Sequence, residues 1–470
     1  MSVHTKNQAL ALLVGGAFFM EQLDATIIAP AIPLIAKDLA LDPLSLNLTL
    51  TTYLLALVVM IPVSGALADR FGTRTVFRWS VALFTLSSVL CAFAPDLPTL
   101  ILARTLQGGS GALMVPVGRI AIVRTVKKSE LVQALATMVT LAMVAPIVGP
   151  PLGGWIADTG SWTWIFLVNL PIGLLGWFLA GRHIPQLKTD ITAPFDLPGW
   201  LALTSCLACL ICGLELSRHG NIASWYAPTV FAASLGFGVL YFLRWRTQAD
   251  PLLDFSLLKH NTFRVSFIGS SLVRVGYGAL PFLLPLCLQL GLGFSASDSG
   301  LALLGSAVVV IIMKAGTAAL LRTFGFRTVL ICNGIACSAG LAICALLMPG
   351  WTLPGVLILL MAGGFARSVQ FNALAAIAYA DIEPSRTGAA TSLNTMFQQL
   401  AVTLGITLSA WLLEWFATHA GRSELTAHDF ALTFLCLAAI TALAIPSYFA
   451  LERHAGADLS GHSAPDPKRI

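Results

Sequence analysis

Charge is the scarcest feature of this sequence. Of 470 residues, 10% are Asp, Glu, Lys or Arg, against roughly 25% in a soluble globular chain. Such a chain lacks the polar surface a water-facing globule needs, and its 57% hydrophobic content excludes disorder. Alternation of period two is missing from the apolar runs, which excludes an outer-membrane barrel. All eight histidines, at 4, 183, 219, 260, 419, 428, 454 and 462, fall in expected loops or tails, so no imidazole relay is expected inside the membrane. No G-x-x-x-x-G-K-[ST] run supports nucleotide-driven pumping, and neither H-E-x-x-H nor a His/Asp constellation points to a membrane enzyme. The nine cysteines lie mostly within apolar segments and give no extracellular disulfide framework. Cys206, Cys209 and Cys212 share one helical face but read as small packing residues rather than a soft-metal site. No cofactor, no metal and no nucleic-acid partner are expected. The first apolar run contains Glu21 and Asp24 and leads straight into the next one, so no cleavable signal peptide is expected.

What the chain has is long apolar runs, with a mean hydropathy of +0.84. A spanning helix needs about 20 such residues. Reading between Gly, Pro and charge gives fourteen spans. Six fall near 9–33, 46–68, 76–95, 98–123, 131–157 and 163–181, and two near 197–217 and 225–243. The last six fall near 263–290, 298–321, 328–348, 353–380, 388–415 and 430–450. With both termini inside, only Lys37, Arg218 and Arg422 lie outside, and Arg104, Arg119, Arg274, Lys314 and Arg367 lie within spans. All other Lys and Arg are then cytoplasmic, as the positive-inside rule requires.

The chain also repeats itself. Phe71-Gly72-Thr73-Arg74-Thr75-Val76 returns as Phe324-Gly325-Phe326-Arg327-Thr328-Val329, an offset of 253, and Gly108-Gly109 returns as Gly363-Gly364. Both echoes sit at matching places in two six-span halves, the signature of a secondary transporter. The expected division is an N-terminal half over 1–181, a linker with two extra spans over 182–262, a C-terminal half over 263–450 and a cytoplasmic tail over 451–470.

Four motifs follow in order. They are Leu23-Asp24-Ala25-Thr26-Ile27-Ile28 with Ala31-Ile32-Pro33, Gly65-Ala66-Leu67-Ala68-Asp69-Arg70-Phe71-Gly72-Thr73-Arg74, Arg104-Thr105-Leu106-Gln107-Gly108 with Gly111, and Gly149-Pro150-Pro151-Leu152-Gly153-Gly154. Together they resemble the major facilitator superfamily, and within it the 14-span drug:H⁺ antiporter branch, over nearly the whole chain. Met114-Val115-Pro116-Val117-Gly118-Arg119 and the surroundings of Arg274 and Lys314 resemble an MdtD-like subgroup. One departure is Ala29, where the branch usually carries Asn. The resemblance implies an all-α integral membrane protein of the major facilitator fold, two six-helix halves plus two inserted helices. It further implies proton-coupled export of drug-like small molecules by alternating access across a bacterial inner membrane. The partners expected are a small-molecule substrate, protons and the bilayer, with the protein a monomer.

The charged residues supply the chemistry. Asp24 lies about 22 Å into span one at 1.5 Å per residue, and Arg104 is expected at similar depth in span four. A buried acid and guanidinium facing each other would load or release a proton when their pairing changes. Glu21, one turn earlier on the same face, is a second carrier. The expected proton-coupling set is therefore Asp24, Glu21 and Arg104, and the substrate contacts are Arg274, Arg367 and Gln107. Gly65, Asp69, Arg70, Gly72 and Arg74 form a charged hinge, while Gly149, Pro150, Gly153 and Gly154 form a close-packing stripe; both serve the conformational switch. Arg119 and Lys314 lie nearer the cytoplasmic edge and are expected to snorkel. On helices 1, 4, 7 and 10, which line the cavity in the family, Glu21 and Asp24 face Arg104, Arg274 and Arg367. That cationic excess opens a second reading, export of an organic acid or metal–carboxylate complex. A receptor or sensor without flux is the rival of another class, and the stretch after Leu451 is short for a signalling domain.

Overall fold

A computed structural model describes residues 3–188, 195–218, 225–248, 251–383, 386–422 and 424–461. His219, His462 and the side chains of His4 and Lys314 lie outside the described residues. Among those residues the regular structure is helical throughout. The chain divides into two units, Met1–Leu252 with Ser295–Leu301, and Leu253–Phe294 with Ala302–Ile470.

The first unit holds α1 (Val3–Ile27), α2 (Asn47–Met60), α3 (Thr73–Ala92), α4 (Leu97–Thr125), α5 (Lys128–Thr159), α6 (Asn169–His183), α7 (Leu197–Leu216) and α8 (Tyr226–Thr247). A helix α10 (Ala296–Ile343) starts in the Ser295–Leu301 segment. The second unit contains α9 (Asn261–Gly278), most of α10, α11 (Leu353–Ile377), α12 (Thr387–His419) and α13 (Ala427–Ala442). Thirteen helical stretches of the described residues are long and apolar enough to cross a bilayer, and Ala296–Val309 is a shorter apolar helix. The expected span near 298–321 falls in the part of α10 that precedes the Gly325 break.

Local signals explain where helices begin. The Asp96 carboxylate accepts from the Thr99 amide at 2.9 Å and caps α4. The Thr99 hydroxyl and amide hold that carboxyl below the ordinary aspartate range. Asp196 caps α7 through the Gly199 amide and also accepts from Arg244 Nε at 2.6 Å, joining α7 to α8. Thr426 and Asp429 form a reciprocal capping box at α13. Glycine decides the two sharpest breaks. Gly72 between the expected second and third spans has φ 89° and ψ 146°. Gly325 interrupts α10 with φ 72° and ψ 164°. Both lie in a region that side chains disfavour, so the sequence echo 253 residues apart is also an echo of backbone conformation.

Packing within the first unit is close because glycines face the neighbouring helices. A Cβ placed on Gly108 of α4 would lie 2.1 Å from the Tyr53 carbonyl of α2. One on Gly118 would lie 2.4 Å from Val14 of α1. The inserted pair α7 and α8 sits at the edge of this unit: Leu235, Val239, Leu240, Phe242 and Leu243 of α8 are all exposed. In a bilayer, lipid covers such a face.

Candidate functional site

Asp24 and Arg104 meet in the core of the first unit. Asp24 lies near the end of α1, just before Pro30 and Pro33 turn the chain through a 3₁₀ stretch (Ala29–Ala31) into the short helix Ile32–Asp38. Arg104 lies two turns into α4, and α1, α4 and α2 converge around it. Its Nη1 donates to Asp24 Oδ2 at 2.5 Å and to Gln107 Oε1 at 2.7 Å. Its Nε donates to the Thr49 carbonyl at 3.3 Å. The guanidinium lies 4.3 Å from the ring centre of Tyr53 and 5.8 Å from that of Phe166, so aromatic faces cover it. Arg104 is 0% exposed and Asp24 1%, which makes this a pair without access to water.

The other carboxylate oxygen of Asp24 is also occupied. Oδ1 accepts from Gln107 Nε2 at 2.7 Å and from Asn169 Nδ2 at 2.8 Å. Gln107 Nε2 and Asn169 Nδ2 both reach Ser88 Oγ as well, at 2.7 and 3.3 Å. Thus α1, α3, α4 and α6 share one buried polar network centred on a single acid. Gln107, expected as a substrate contact, spends its amide inside this network. Glu21 lies one turn before Asp24, 6% exposed, and its Oε2 is buried without a hydrogen-bond partner. Arg104 Nη2 and Asn169 Oδ1 are likewise buried and unpartnered.

The expected hinge lies at one end of the same unit. Asp69 accepts from Arg124 Nη2 of α4 at 3.0 Å, both side chains being about a third exposed. At that exposure the pair stabilises by about 0–1 kcal/mol, so it latches weakly. Arg70 lies over the Phe71 ring, and Arg74 Nε donates to the Ile184 carbonyl at 2.6 Å. Gly72 is crowded by Gln186, whose amide donates to the Phe71 carbonyl at 3.0 Å and the Thr75 hydroxyl at 2.9 Å. Thr73 Oγ1 donates to the Pro185 carbonyl at 2.6 Å. The segment after α6 is therefore stitched to the loop before α3. Gly65 has open space where a Cβ would stand.

The small-residue stripe of α5 faces α1. A Cβ on Gly149 would lie 2.4 Å from Thr26 Oγ1, and one on Gly153 would lie 1.9 Å from the Ile27 carbonyl. Gly154 and the Pro150 carbonyl meet the Ser295–Leu301 segment of the same unit, at Ala296 and Gly300. Pro146, Pro150 and Pro151 all lie inside α5.

In the second unit, Arg274 of α9 donates Nε to Ser270 Oγ at 3.3 Å and lies 4.3 Å from the ring centre of Phe371 on α11. Arg367 of α11 lies 5.9 Å from the Tyr277 ring centre and borders a cavity of about 40 Å³ with Tyr277, Ser306 and Gly364. Neither arginine has a carboxylate in ion-pair range among the described residues. Cys206, Cys209 and Cys212 are free thiols. Among the described residues no cluster of three His, Cys, Asp or Glu could hold a metal.

Sequence reading missed Tyr53, Ser88, Asn169, Arg124 and Gln186. Their one available signal was polarity inside, or next to, an apolar run. Only Arg124 carries a charge, and it read as one more cytoplasmic cation.

Comparison with known proteins covers nearly the whole length. The profile described as Major Facilitator Superfamily matches residues 14–260 and 266–468. Proteins of Salmonella heidelberg strain SL476, Salmonella newport strain SL254 and Salmonella typhi, each assigned by name to multidrug resistance as MdtD, are 36% identical over 440 residues. In each case the match covers 92% of this chain and 92% of the relative.

Proposed function

The chain belongs to the major facilitator superfamily of transporters, and from that premise we propose that it exports drug-like small molecules in exchange for protons. The direction runs from cytoplasm outward across a bacterial inner membrane, with both termini cytoplasmic. The observation that carries this reading is the sealed Asp24–Arg104 pair with the unpartnered Glu21 beside it. Ionisable groups are kept at membrane depth only where they do work, because the alternative is a cost of several kcal/mol. The proton-coupling set is Glu21, Asp24 and Arg104. The halves 1–181 and 263–450 alternate access, with the extra helices of 182–262 carried along. The hinge residues Gly65, Asp69, Arg70, Gly72 and Arg74 and the stripe Gly149, Pro150, Gly153 and Gly154 govern the switch. Arg274 and Arg367 contact substrate.

Purified protein in proteoliposomes, with a trapped pH indicator, tests the coupling. Adding a lipophilic cation or a di- or tricarboxylate to one side should draw protons toward that same side as the substrate crosses to the other. Substrate flux with no proton movement across the whole panel would remove the coupling.

One observation favours a second reading of the cargo. Among the described residues Arg274 and Arg367 have no acid in ion-pair range, and a low-dielectric site of one sign repels a like-charged ligand. An anionic organic acid or its metal complex suits them better than a lipophilic cation does.

A further inference from the structure

Within the coupling cluster the two acids are not equivalent, and the difference assigns their work. Resting on the reading that this cluster couples protons to transport, we infer that Glu21 carries the travelling proton while Asp24 stays a fixed anion.

Asp24 is the acid whose negative charge is answered by donors. The guanidinium of Arg104 occupies Oδ2, and the amides of Gln107 and Asn169 occupy Oδ1. Three donors already address it, and a proton added there would leave Arg104 a buried cation without its counter-charge. Arg104 is held through Nε and Nη1 by Thr49, Gln107 and the ring of Tyr53, while its Nη2 is unpartnered.

Glu21 is in the opposite condition. Its Oε2 meets no donor, and among the described residues no cation stands in ion-pair range. From α2 comes Tyr53, whose hydroxyl is 3.5 Å from the Glu21 main-chain carbonyl rather than from its carboxyl. The α4 helix brings Gly111, whose added Cβ would lie 3.6 Å from Glu21 Cγ, and Arg104, already held by Asp24. From α3 the ionisable group is Cys91, whose thiol faces Gln107. Neither α5 nor α6 brings an ionisable side chain to this depth. Among the described residues of the first unit, the charge left beside Glu21 is thus Asp24, one turn along the same helix and of its own sign. A buried carboxyl so placed is tolerated neutral, and is tolerated ionised only when a conformer brings water or a cation to it. Such a group changes its proton content when the conformation changes.

The repeat supports this. The offset of 253 that carries Gly72 onto Gly325 carries Glu21 onto Arg274, which among the described residues also has no carboxylate in ion-pair range. At this register of its first helix each unit keeps a charge that packing does not neutralise.

The step involves one bond. An O–H bond forms on the Glu21 carboxylate with a proton taken from water on one side. It breaks when the same proton is given to water on the other side, and no electrons change owner.

Infrared difference spectroscopy of the purified protein in detergent tests the assignment without any substrate. At neutral pH the wild type should show the carbonyl stretch of a protonated carboxyl. Glu21→Gln should lose that band and Asp24→Asn should keep it. A band that survives Glu21→Gln and vanishes in Asp24→Asn overturns the assignment. If Glu21→Gln does not fold, Glu21→Asp keeps an acid on a shorter arm, so the band should move and disappear at a different pH. An unmoved band overturns the assignment as well. In proteoliposomes with ethidium as probe, Glu21→Gln should lose transport driven by a pH gradient and keep downhill exchange. Coupling that persists in Glu21→Gln removes this assignment alone. No proton movement in the wild type, with ethidium or any other member of the panel, removes the coupling reading and the assignment with it.

Discussion

Asp24 and Arg104 are each charged and each sealed from water, so taking either away strands the other. Breaking a buried pair by removing one partner costs about 3–5 kcal/mol, because the remaining charge is left uncompensated. Arg104→Met should therefore lower the unfolding midpoint in detergent sharply, followed by tryptophan fluorescence. The double variant Asp24→Asn with Arg104→Met should recover much of that loss, since both charges are then gone. If the double variant is as unstable as the single one, the two residues do not act as a pair. This pair was legible in the sequence because a charge inside an apolar run has few explanations. Asn169 and Ser88 were not legible. An uncharged polar residue can bond the preceding turn of its own helix, as Thr85 and Ser80 do, so its presence in a span carries no commitment to a site. Only the fold shows that Asn169 reaches across to Asp24.

At the scale of helices and loops, glycines at three positions meet three different fates. Gly153 of α5 touches the α1 backbone, so Gly153→Ala must force the two helices apart, with a Cβ 1.9 Å from the Ile27 carbonyl. Gly72 has φ 89° and a crowding Gln186 amide; alanine there should destabilise by more than about 1 kcal/mol. Gly65 lies in a helix with open space around it, so Gly65→Ala should be neutral or stabilise by up to about 1 kcal/mol. Unfolding midpoints and downhill flux of the three variants, measured side by side, check the order. Equal effects at Gly65 and Gly153 would mean that helix approach does not limit the switch. The loop motif itself was readable, since Gly, Asp and Arg at that spacing have a turn's chemistry. Its strap was not readable. Gln186 and Pro185 lie more than a hundred residues away and look like any linker until the fold brings them to Thr73 and Thr75.

For the molecule as a whole, the apolar runs and the repeat were enough to place the helices, because in a bilayer the backbone has to satisfy itself within each span. The attachment of the extra pair was less visible. Trp200 Nε1 donates to the Val59 carbonyl at 2.8 Å near one end of α7. Asn47 meets Glu215 and Arg218 at the other, at 3.3 and 3.4 Å. Both contacts join α7 to the region of α2, in agreement with the grouping of the pair in the first unit. Charge, in contrast, is divided unequally between the units. The first keeps its buried cation Arg104 neutralised by Asp24, while the second keeps Arg274 and Arg367 against aromatic rings with no acid in ion-pair range among the described residues. Two cations near each other in low dielectric repel, and a bound anion relieves that repulsion. If the cargo is anionic, Arg274→Ala and Arg367→Ala should each weaken transport of di- and tricarboxylates by about tenfold or more, the loss of a charge-assisted hydrogen bond of 1.5–3 kcal/mol. Ethidium efflux should be unchanged or should rise, since a repulsive charge has gone. Should both variants export ethidium as strongly as the wild type and leave carboxylate flux untouched, the two arginines have a packing role and the cargo need not be an anion.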